Sequence, residues 1–370
     1  MASQSAKLMA EAASQLIDCL DRPQRDAACR PFPDDEERRQ WFYTPTDHGG
    51  LPLVRMSSAQ HRKVLQLVAT GLSRAGYVTV SAIMGLENIL DQLEGWSSYF
   101  GRERGRDPLH YYITIFGDPA GNAAWAWRYG GHHVSLHYTI VDGQVSSATP
   151  NFLGADPAAS PLLGPHLHRP LAAIEDLGRD LFRTLDDAKR AKALVAGVAP
   201  TDLVGANRAA LTPGDRPLTL NQIWRTQPEG DLWQRMDTMQ RSLEASLSLT
   251  SADIDAVSFT KKPKGIPATE LNSGEQEILH ALIDCYVSRL PDDLADAQAA
   301  LVEHEFNKLA FLWAGSGEPN EPHYYRIQGE RLFIEYDNAQ RGGNHIHAVW
   351  RDLANDFDGD VLARHYAESH

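Results

Sequence analysis

The chain has 370 residues and carries 49 acidic against 35 basic side chains, so its formal net charge is −14. This charge argues against a protein whose main task is to bind nucleic acid, because such proteins carry basic patches. Hydrophobic residues make up 42% and charged residues 23%. These fractions are close to those of soluble globular proteins and predict a packed core rather than disorder.

Neither a membrane span nor an export signal is visible. Lys7, Glu11 and Asp18 interrupt the apolar residues near the start of the chain, and no later segment approaches about 18 uninterrupted apolar residues. The 3 cysteines are too few and too scattered for a disulfide framework. We therefore expect a cytoplasmic protein that acts on a small molecule, without membrane or nucleic-acid partners. The sequence defines no oligomeric state.

The first part of the chain predicts helices and then strands. Helical spacing indicates an opening helix from Ser5 to Leu20, and an extended arm up to residue 55 carries the aromatic run Trp41-Phe42-Tyr43. Two further helices are predicted from Ser57 to Gly76 and from Ser81 to Leu93. Short strands separated by turn residues then follow: His110–Phe116, Ala124–Tyr129, His133–Val141 and Gln144–Ala148.

The second part predicts more helices and a second set of strands. Residues 151–271 are expected to form a mainly helical insertion, with helical patterns over Leu171–Val195 and Leu232–Leu249. Helices are predicted from Ser273 to Arg289 and from Pro291 to Leu312. The chain is then expected to form three strands and a short closing helix: His323–Gln328, Arg331–Asp337, His345–Arg351 and residues 359–368.

The order of these elements predicts an internal duplication. With residue 58 placed on residue 273, each half has a capped helix, a second helix and a strand meander, and His110–Gly117 aligns with His323–Gly329. Halves at residues 56–150 and 272–370 predict an α+β fold, in which helices pack on an antiparallel sheet. A pseudo-twofold axis would then bring the strands at 133–141 and 345–351 to face each other across a cleft.

Alternation along these two strands predicts a core face and a polar face. One phase carries the histidines and the other carries only apolar residues, which align pairwise between the halves: Val134, Leu136 and Tyr138 with Ile346, Ala348 and Trp350.

The histidines point to a metal centre. Imidazole is the commonest transition-metal ligand, and two imidazoles at positions i and i+2 of a strand can chelate one ion. His345 and His347 have this spacing, and the matching strand supplies His133. We therefore expect one transition-metal ion, either zinc, iron or copper, bound by His133, His345 and His347 and completed by His132 or Glu335.

Other side chains near these strands are candidates for catalysis. Glu335 is the candidate general base, because a carboxylate beside a cation can take a proton from bound water. Arg128 and Arg351 flank the histidine strands and are candidate clamps for a carboxylate, and Trp127 is a candidate substrate contact.

Three functions follow from these residues. Zinc would favour hydrolysis of a small polar or carboxylated substrate, whereas iron or copper would favour oxygen chemistry with the same ligands. We favour hydrolysis because metal-activated water is the more common chemistry. In the third interpretation the protein is a non-catalytic ligand-binding protein, and its histidines hydrogen-bond one another in a polar seam. Nucleotide-binding and serine-hydrolase motifs are absent from the sequence.

Several segments resemble the domain-of-unknown-function 3500 family, and the resemblance covers nearly the whole chain from about residue 30. It implies no activity, because the family is named for what is not known. Many members look exported, so the resemblance leaves export open beside the cytoplasmic expectation. The segments that carry it are Asp34–Trp41, Tyr43–Pro45, Gly50–Leu53, Trp125–His133, Pro150–Pro157, Ile334–Asn338, Asn344–Asp352 and Asp356–Asp360.

Overall fold

The computed structural model describes residues 3–97 and 104–359, and eleven α-helices occur among them. Most begin at a side-chain cap: Ser57 caps one helix and Asn272 another, each in a capping box. The helices are α1 (Gln4–Asp18), α2 (Arg22–Ala28), α3 (Asp35–Arg38), α4 (Ser58–Thr70), α5 (Arg74–Leu93), α6 (Ala172–Thr184), α7 (Asp187–Ala193), α8 (Gly230–Leu247), α9 (Ser251–Val257), α10 (Ser273–Val287) and α11 (Asp292–Glu305).

The same described residues form fifteen strands. They are β1 (Cys29–Arg30), β2 (Leu51–Pro52), β3 (Tyr112–Phe116), β4 (Trp125–Gly131), β5 (Val134–Val141), β6 (Gln144–Ser147), β7 (Asn151–Ala155), β8 (Ser160–Pro161), β9 (Leu167–His168), β10 (Leu194–Ala196), β11 (Ile266–Pro267), β12 (Ala310–Gly315), β13 (His323–Gln328), β14 (Leu332–Gln340) and β15 (His345–Asp352). Thirteen strands build one sheet in the order β1-β3-β4-β5-β7-β15-β14-β13-β12-β10, with β2, β6 and β11 paired to β3, β5 and β12. The other two strands, β8 and β9, form a separate hairpin.

The α+β class is confirmed, but the sheet is mixed and not purely antiparallel as predicted. β1 pairs in parallel with β3, and β10 pairs in parallel with β12. Helices α4 and α5 lie between β1 and β3 along the chain, and α10 and α11 lie between β10 and β12. Such long helical crossovers permit parallel pairing, which a tight hairpin does not.

A similar series of elements occurs twice along the chain. β1, β2, α4 and α5 precede the meander β3-β4-β5, and β10, β11, α10 and α11 precede the meander β12-β13-β14. This order sets β3 against β12, whereas the sequence alignment set His110–Gly117 against His323–Gly329, and therefore β3 against β13. The internal duplication stays a prediction. The sequence alignment and the order of the elements pair the two halves differently, with an offset of one strand.

One helix was predicted too long near one edge of the sheet, and one strand at its centre was not predicted. The helix predicted from Pro291 to Leu312 ends at Glu305, and Ala310–Gly315 forms β12. Residues 151–271 include α6 to α9, yet they also supply β7, which lies in the middle of the sheet. Both strands are buried on their two faces, so their apolar runs lack the alternation that identifies a half-buried strand.

The two faces of the sheet bury different side chains. Helices α1, α4, α5, α6, α10 and α11 cover one face and form the main apolar core, which contains the six apolar residues predicted for the core phase of β5 and β15. The opposite face packs against the arm and the loops around α8, where Trp41 and Tyr43 meet Phe152 and Val349. His137 and His347 have ring contacts on this second face, so the histidines and the six predicted core residues lie on opposite faces, although the histidine face also buries a smaller apolar cluster.

No helix within residues 3–97 and 104–359 is long and apolar enough to cross a membrane. The predicted closing helix at residues 359–368 lies almost entirely outside the described residues.

Candidate metal centre

Three histidine rings converge beside β7. The Nε2 atoms of His133 and His345 lie 2.9 Å apart, and the ring centroid of His347 lies 5.4 Å from that of His133 and 4.6 Å from that of His345. One ring nitrogen from each residue lies within 4.8 Å of the other two. Zinc–nitrogen bonds of about 2.0–2.1 Å place two ligand nitrogens of a tetrahedral site roughly 3.3 Å apart. The three rings are therefore close to coordination geometry.

The register of β7 brings these rings together. β5 and β15 lie on either side of β7 in one sheet, so the two histidine segments do not face each other across a cleft as predicted. His347 pairs with Gly154 of β7, and the Gly154 N–H donates a hydrogen bond to the His133 carbonyl at 2.8 Å. A Cβ on Gly154 would lie 2.8 Å from Cδ2 of His133. The missing side chain thus leaves the space that the His133 ring occupies.

His133 lies in a turn and not at the start of a strand. Gly131 pairs with Val134, so His132 and His133 form the two-residue connection between β4 and β5. The φ of His133 is +67°, in the left-handed region that non-glycine residues rarely adopt. Residues held in such conformations cluster at functional sites, where the surrounding structure imposes the strain.

Carboxylates lie behind two of the three rings. The Oδ1 atom of Asp202 lies 2.8 Å from Nδ1 of His347, and the Tyr43 hydroxyl donates to Oδ2 of the same carboxylate at 3.0 Å. The Oδ2 atom of Asp156 lies 3.5 Å from Nδ1 of His345. A carboxylate at Nδ1 holds the proton on that nitrogen and leaves Nε2 with a lone pair for a metal. We therefore assign the Nδ1–H tautomer to His345 and His347.

His132 is a neighbour of the three-histidine group and not a member of it. Its ring stacks on His133 at a centroid distance of 3.7 Å, and its Nδ1 makes a short hydrogen bond with Glu87 of α5. Glu87, His132 and His133 form a second set of possible ligand atoms within 4.8 Å of one another. The expectation that His132 completes the coordination of His345 and His347 does not match this placement.

Burial keeps the histidines neutral. It is the largest cause that lowers the pKa of His132, His133 and His345 well below 6.5, and the neighbouring cationic groups lower each pKa further. A neutral imidazole has the lone pair that a metal needs. These three side chains are thus ready to bind a cation at neutral pH without first losing a proton.

A cavity of about 450 Å³ opens beside the cluster, and His132, His345 and His347 line it. Its far wall is apolar and comes from α8 and from residues 218–224, with Trp224 and Met236 among the contacts. Substrate pockets commonly combine such an apolar wall with a few polar groups.

The near side of the cavity is charged. Arg106 donates two hydrogen bonds to Glu94 at 2.8 and 2.9 Å. Arg341 donates to Glu94 at 2.8 Å through Nη2 and to Asp156 at 2.9 Å through Nε. All four side chains line the cavity, and Arg235 of α8 lines its other side, whereas the predicted Arg128 and Arg351 are not among the lining residues.

The predicted general base, Glu335, lies outside the cluster and the cavity lining. Its buried carboxylate accepts hydrogen bonds from the backbone N–H groups of Val204 at 2.9 Å and Gly205 at 2.8 Å, and from the Tyr324 hydroxyl. These donors satisfy a buried charge and fix the loop that carries Asp202. Glu335 therefore anchors this loop, and its predicted catalytic role stays a prediction.

The three predicted substrate contacts also lie away from the cavity lining. Arg128 binds the Glu37 carboxylate at 2.7 Å and backbone carbonyls of the arm. Arg351 donates to Asp356 at 2.6 Å, and Trp127 is buried in the core on the helical face. Both arginines are neighbours of the histidines in sequence, but acceptors from the arm and the C-terminal segment hold their guanidinium groups.

Sequence reasoning missed the groups that support the histidines. Asp156 lies in the Pro150–Pro157 segment that carries the family resemblance, and Glu87 is a carboxylate inside the apolar stripe of α5, so both had a local signal. Asp202, Arg106 and Arg341 lie in loops without a motif, and only the fold brings them to the site.

Fold and site together define a mixed α+β protein with a buried histidine cluster at the base of a cavity. The sequence matches the family described as "Protein of unknown function (DUF3500)" over residues 2–359. The chain therefore belongs to this family, as its motifs indicated. No curated protein and no solved structure matches it significantly.

Proposed function

We propose that this protein is a metal-dependent enzyme in which His133, His345 and His347 hold one transition-metal ion beside the cavity. The observation that carries the proposal is that a ring nitrogen of each histidine lies within 4.8 Å of the other two. The reaction we favour is hydrolysis of a small polar or carboxylated substrate by metal-activated water.

The alternative hypothesis, in which the histidines only hydrogen-bond one another in a polar seam, explains only part of the geometry of the three rings. One Nε2 proton shared between His133 and His345 satisfies both atoms at their distance of 2.9 Å. The Nε2 of His347 has no hydrogen bond to any described residue, although Asp202 orients the ring through Nδ1. A cation would use all three nitrogens, which supports a metal site over a seam.

Three histidines with an open fourth position are the ligand set of catalytic zinc, which supplies a nucleophile at neutral pH by lowering the pKa of bound water. The residues of this chain would hold and shield that centre. Tyr43 and Asp202 fix the orientation of the His347 ring. Trp224 and Met236 keep the opposite wall apolar, which limits the access of bulk water.

The ligand set also ranks the oxidative alternatives. Ferrous oxygenases commonly use two histidines and one carboxylate, whereas an all-histidine set suits copper. No carboxylate belongs to the group of His133, His345 and His347 among the described residues. A copper-dependent oxidoreductase is therefore the second candidate function.

Elemental analysis of protein purified without an affinity tag tests the proposal. We expect about one zinc ion per wild-type chain, and none in a His347→Ala variant that keeps its circular dichroism spectrum. His166→Ala is the matched control, because this histidine is exposed on the β8–β9 hairpin, and it should retain the metal.

Each result separates the candidates. Stoichiometric copper in place of zinc supports the oxidoreductase. A wild-type protein that binds none of these metals, and whose melting temperature does not respond to a chelator, supports the seam and a non-catalytic function. Stoichiometric zinc without turnover of a panel of chromogenic esters and amides argues against hydrolysis of those substrate classes.

A further inference from the structure

The two ends of the cavity differ in chemistry. Arg106, Arg341 and the histidines line one end, while the other end consists mainly of side chains from α8 and from residues 218–224. The apolar lining includes Leu220, Ile223, Trp224, Leu232 and Met236. A ligand that fills this cavity therefore needs a charged or polar end and an apolar body.

Arg341 is an accessible cationic group at the histidine end of the cavity. Its side chain is 42% exposed, so it can meet a molecule that arrives from solvent. Nε and Nη2 donate to Asp156 and Glu94, but Nη1 has no hydrogen bond to any described residue. A guanidinium has five N–H donors, so donors remain for a carboxylate.

Arg341 begins the turn that joins β14 to β15. Its φ is +52°, although it is not a glycine. Asp156 and Glu94 hold the guanidinium from two sides while the backbone adopts this uncommon conformation. The turn and the two carboxylates therefore fix where this guanidinium lies.

Asp156 connects Arg341 to the candidate metal ligands. The same Oδ2 atom lies 2.9 Å from Nε of Arg341 and 3.5 Å from Nδ1 of His345. A carboxylate held by Arg341 therefore lies close to the histidine cluster, so the group that reacts must be only a short distance from that carboxylate along the substrate.

The charged side chains of the lining balance one another in number. Arg106, Arg235 and Arg341 balance Glu94, Asp156 and Asp202 among the described lining residues. The preference for an anion therefore has to come from the position of the Arg341 guanidinium at the polar end and not from the net charge of the cavity.

We propose that this cavity binds carboxylates with an apolar aromatic or branched body, and that Arg341 determines this preference. The claim that such a carboxylate is the substrate rests on the proposed metal-dependent function. The claim that the cavity prefers to bind carboxylates does not. The carboxylate binds Arg341, and the body packs on Trp224 and Met236.

Binding of three probes by isothermal titration calorimetry tests the inference. The probes are phenylacetate, its neutral analogue phenylacetamide, and acetate, which lacks the apolar body. For the zinc-loaded wild type we expect phenylacetate to bind about tenfold or more tightly than the amide, because only the carboxylate makes charged hydrogen bonds. We expect a similar preference over acetate, because acetate has no apolar body to bury against Trp224 and Met236. In Arg341→Gln the preference over the amide should fall to about onefold to twofold. In Trp224→Ala the preference over acetate should fall while the preference over the amide remains.

Matched variants separate Arg341 from the metal. Arg183→Gln removes an arginine that is 51% exposed and outside the cavity lining, and it should bind the probes like the wild type. Arg341→Lys should keep part of the preference. His347→Ala should lose the metal and keep the preference for phenylacetate over the amide, because Arg341 is intact.

The possible failures are distinguishable. A wild type that holds no metal but prefers phenylacetate contradicts the proposed function and supports the anion site. The inference about Arg341 is overturned if the three probes bind equally, if none binds, or if the preference survives in Arg341→Gln. A preference that disappears in His347→Ala alone would mean that the carboxylate binds the metal directly, and this too would overturn it.

Discussion

Asp202 orients the His347 ring through a hydrogen bond at Nδ1. The carboxylate of Asp202 should therefore matter for metal binding, even though Asp202 is not a candidate ligand. In Asp202→Asn, we expect the affinity for zinc to fall about 10-fold to 100-fold, the usual effect of removing a carboxylate partner of a ligand histidine. Competition with a chromophoric chelator measures this affinity. Asp187→Asn is the control, because its side chain is fully exposed on α7. Unchanged affinity in Asp202→Asn would contradict the orienting role.

Gly154 should be equally important although it has no side chain. A methyl group there would lie 2.7 Å from the Ile346 carbonyl oxygen and 2.8 Å from Cδ2 of His133, closer than real Cβ contacts allow. We expect Gly154→Ala to displace the His133 ring and to lose most of its bound zinc in elemental analysis.

Gly85→Ala provides the control for this substitution. Gly85 is exposed on α5, and an added Cβ would meet no atom within 4 Å. This variant should retain the metal and gain about 0.5–1 kcal/mol in free energy of unfolding, as expected of alanine in a helix. If both variants retain the metal equally, the close contact with His133 is not what positions the ring.

The sequence allowed the three histidines to be predicted, but not the groups around them. His345 and His347 are two residues apart on one strand. A Gly-Gly pair precedes His133 by one residue, and another Gly-Gly pair precedes His345 by one residue. Asp202 has no such local pattern, because it meets His347 only through a loop that Glu335 anchors. The partners of Arg128 and Arg351 also depend on distant segments, so the sequence could not show that these arginines lie outside the cavity lining.

Glu37 attaches the arm to the sheet and to a distant loop. Its carboxylate binds Arg128 at 2.7 Å and Arg225 at 2.6 Å. Burial opposes ionisation of this group, but the hydrogen bonds from Arg225 and Arg128 outweigh it and lower its pKa below 4.5. A lowered pKa in the folded protein means that the ion pairs stabilise the fold above pH 4.5 and that this contribution is lost as the pH falls through the folded pKa.

Glu37→Gln should therefore destabilise the protein in a pH-dependent way. At pH 7 we expect a loss of about 3–5 kcal/mol in free energy of unfolding, because Arg128 is left as a buried charge without its carboxylate. Urea denaturation at pH 7 and at pH 3.5 should show that the difference from the wild type shrinks at the lower pH. Glu36→Gln, at an exposed neighbouring position, should have little effect. A difference that stays constant with pH would exclude the ion pairs as its cause.

Helix α8 forms a wall of the cavity with little support from the core. Met236 is its only buried residue among 18 positions, whereas Met239 is 54% exposed. In Met236→Ala we expect faster amide hydrogen exchange in α8 and unchanged exchange in α5, because regions with few buried contacts open locally. Met239→Ala should leave both helices unchanged. Equal acceleration in α5 would instead show that α8 and the core unfold together.

Elements with one buried face were easier to predict than elements with two. Both α4 and α5 show an apolar stripe, and their predicted positions are close to the observed ones, although Ser73 starts α5 earlier than expected. β12 has the buried run Ala310–Gly315, which lacks alternation and was assigned to the preceding helix. β7 was missed for the same reason. The centre of the sheet was therefore the least predictable part of the fold.

Across the entire chain, the position of β7 joins segments that are far apart in sequence. β7 pairs with β5 on one side and β15 on the other. The sheet therefore brings His133 and His345 into contact although they are 212 residues apart in sequence. An ion bound by these residues would link both parts of the sheet only in the folded state. Metal binding should therefore stabilise the whole fold and not only the cavity.

Removal of the metal tests this coupling. A ligand that binds only the folded protein adds about 2.7 kcal/mol at a concentration 100 times its Kd, which for 370 residues corresponds to a rise in melting temperature of roughly 3–4 °C. We expect zinc to produce this rise in wild-type protein after chelation, measured by differential scanning calorimetry. His347→Ala should not respond, because it lacks one ligand, whereas His166→Ala should respond like the wild type. A similar rise in His347→Ala would mean that zinc stabilises the fold from another site, so the three histidines would not be what joins the two parts of the sheet.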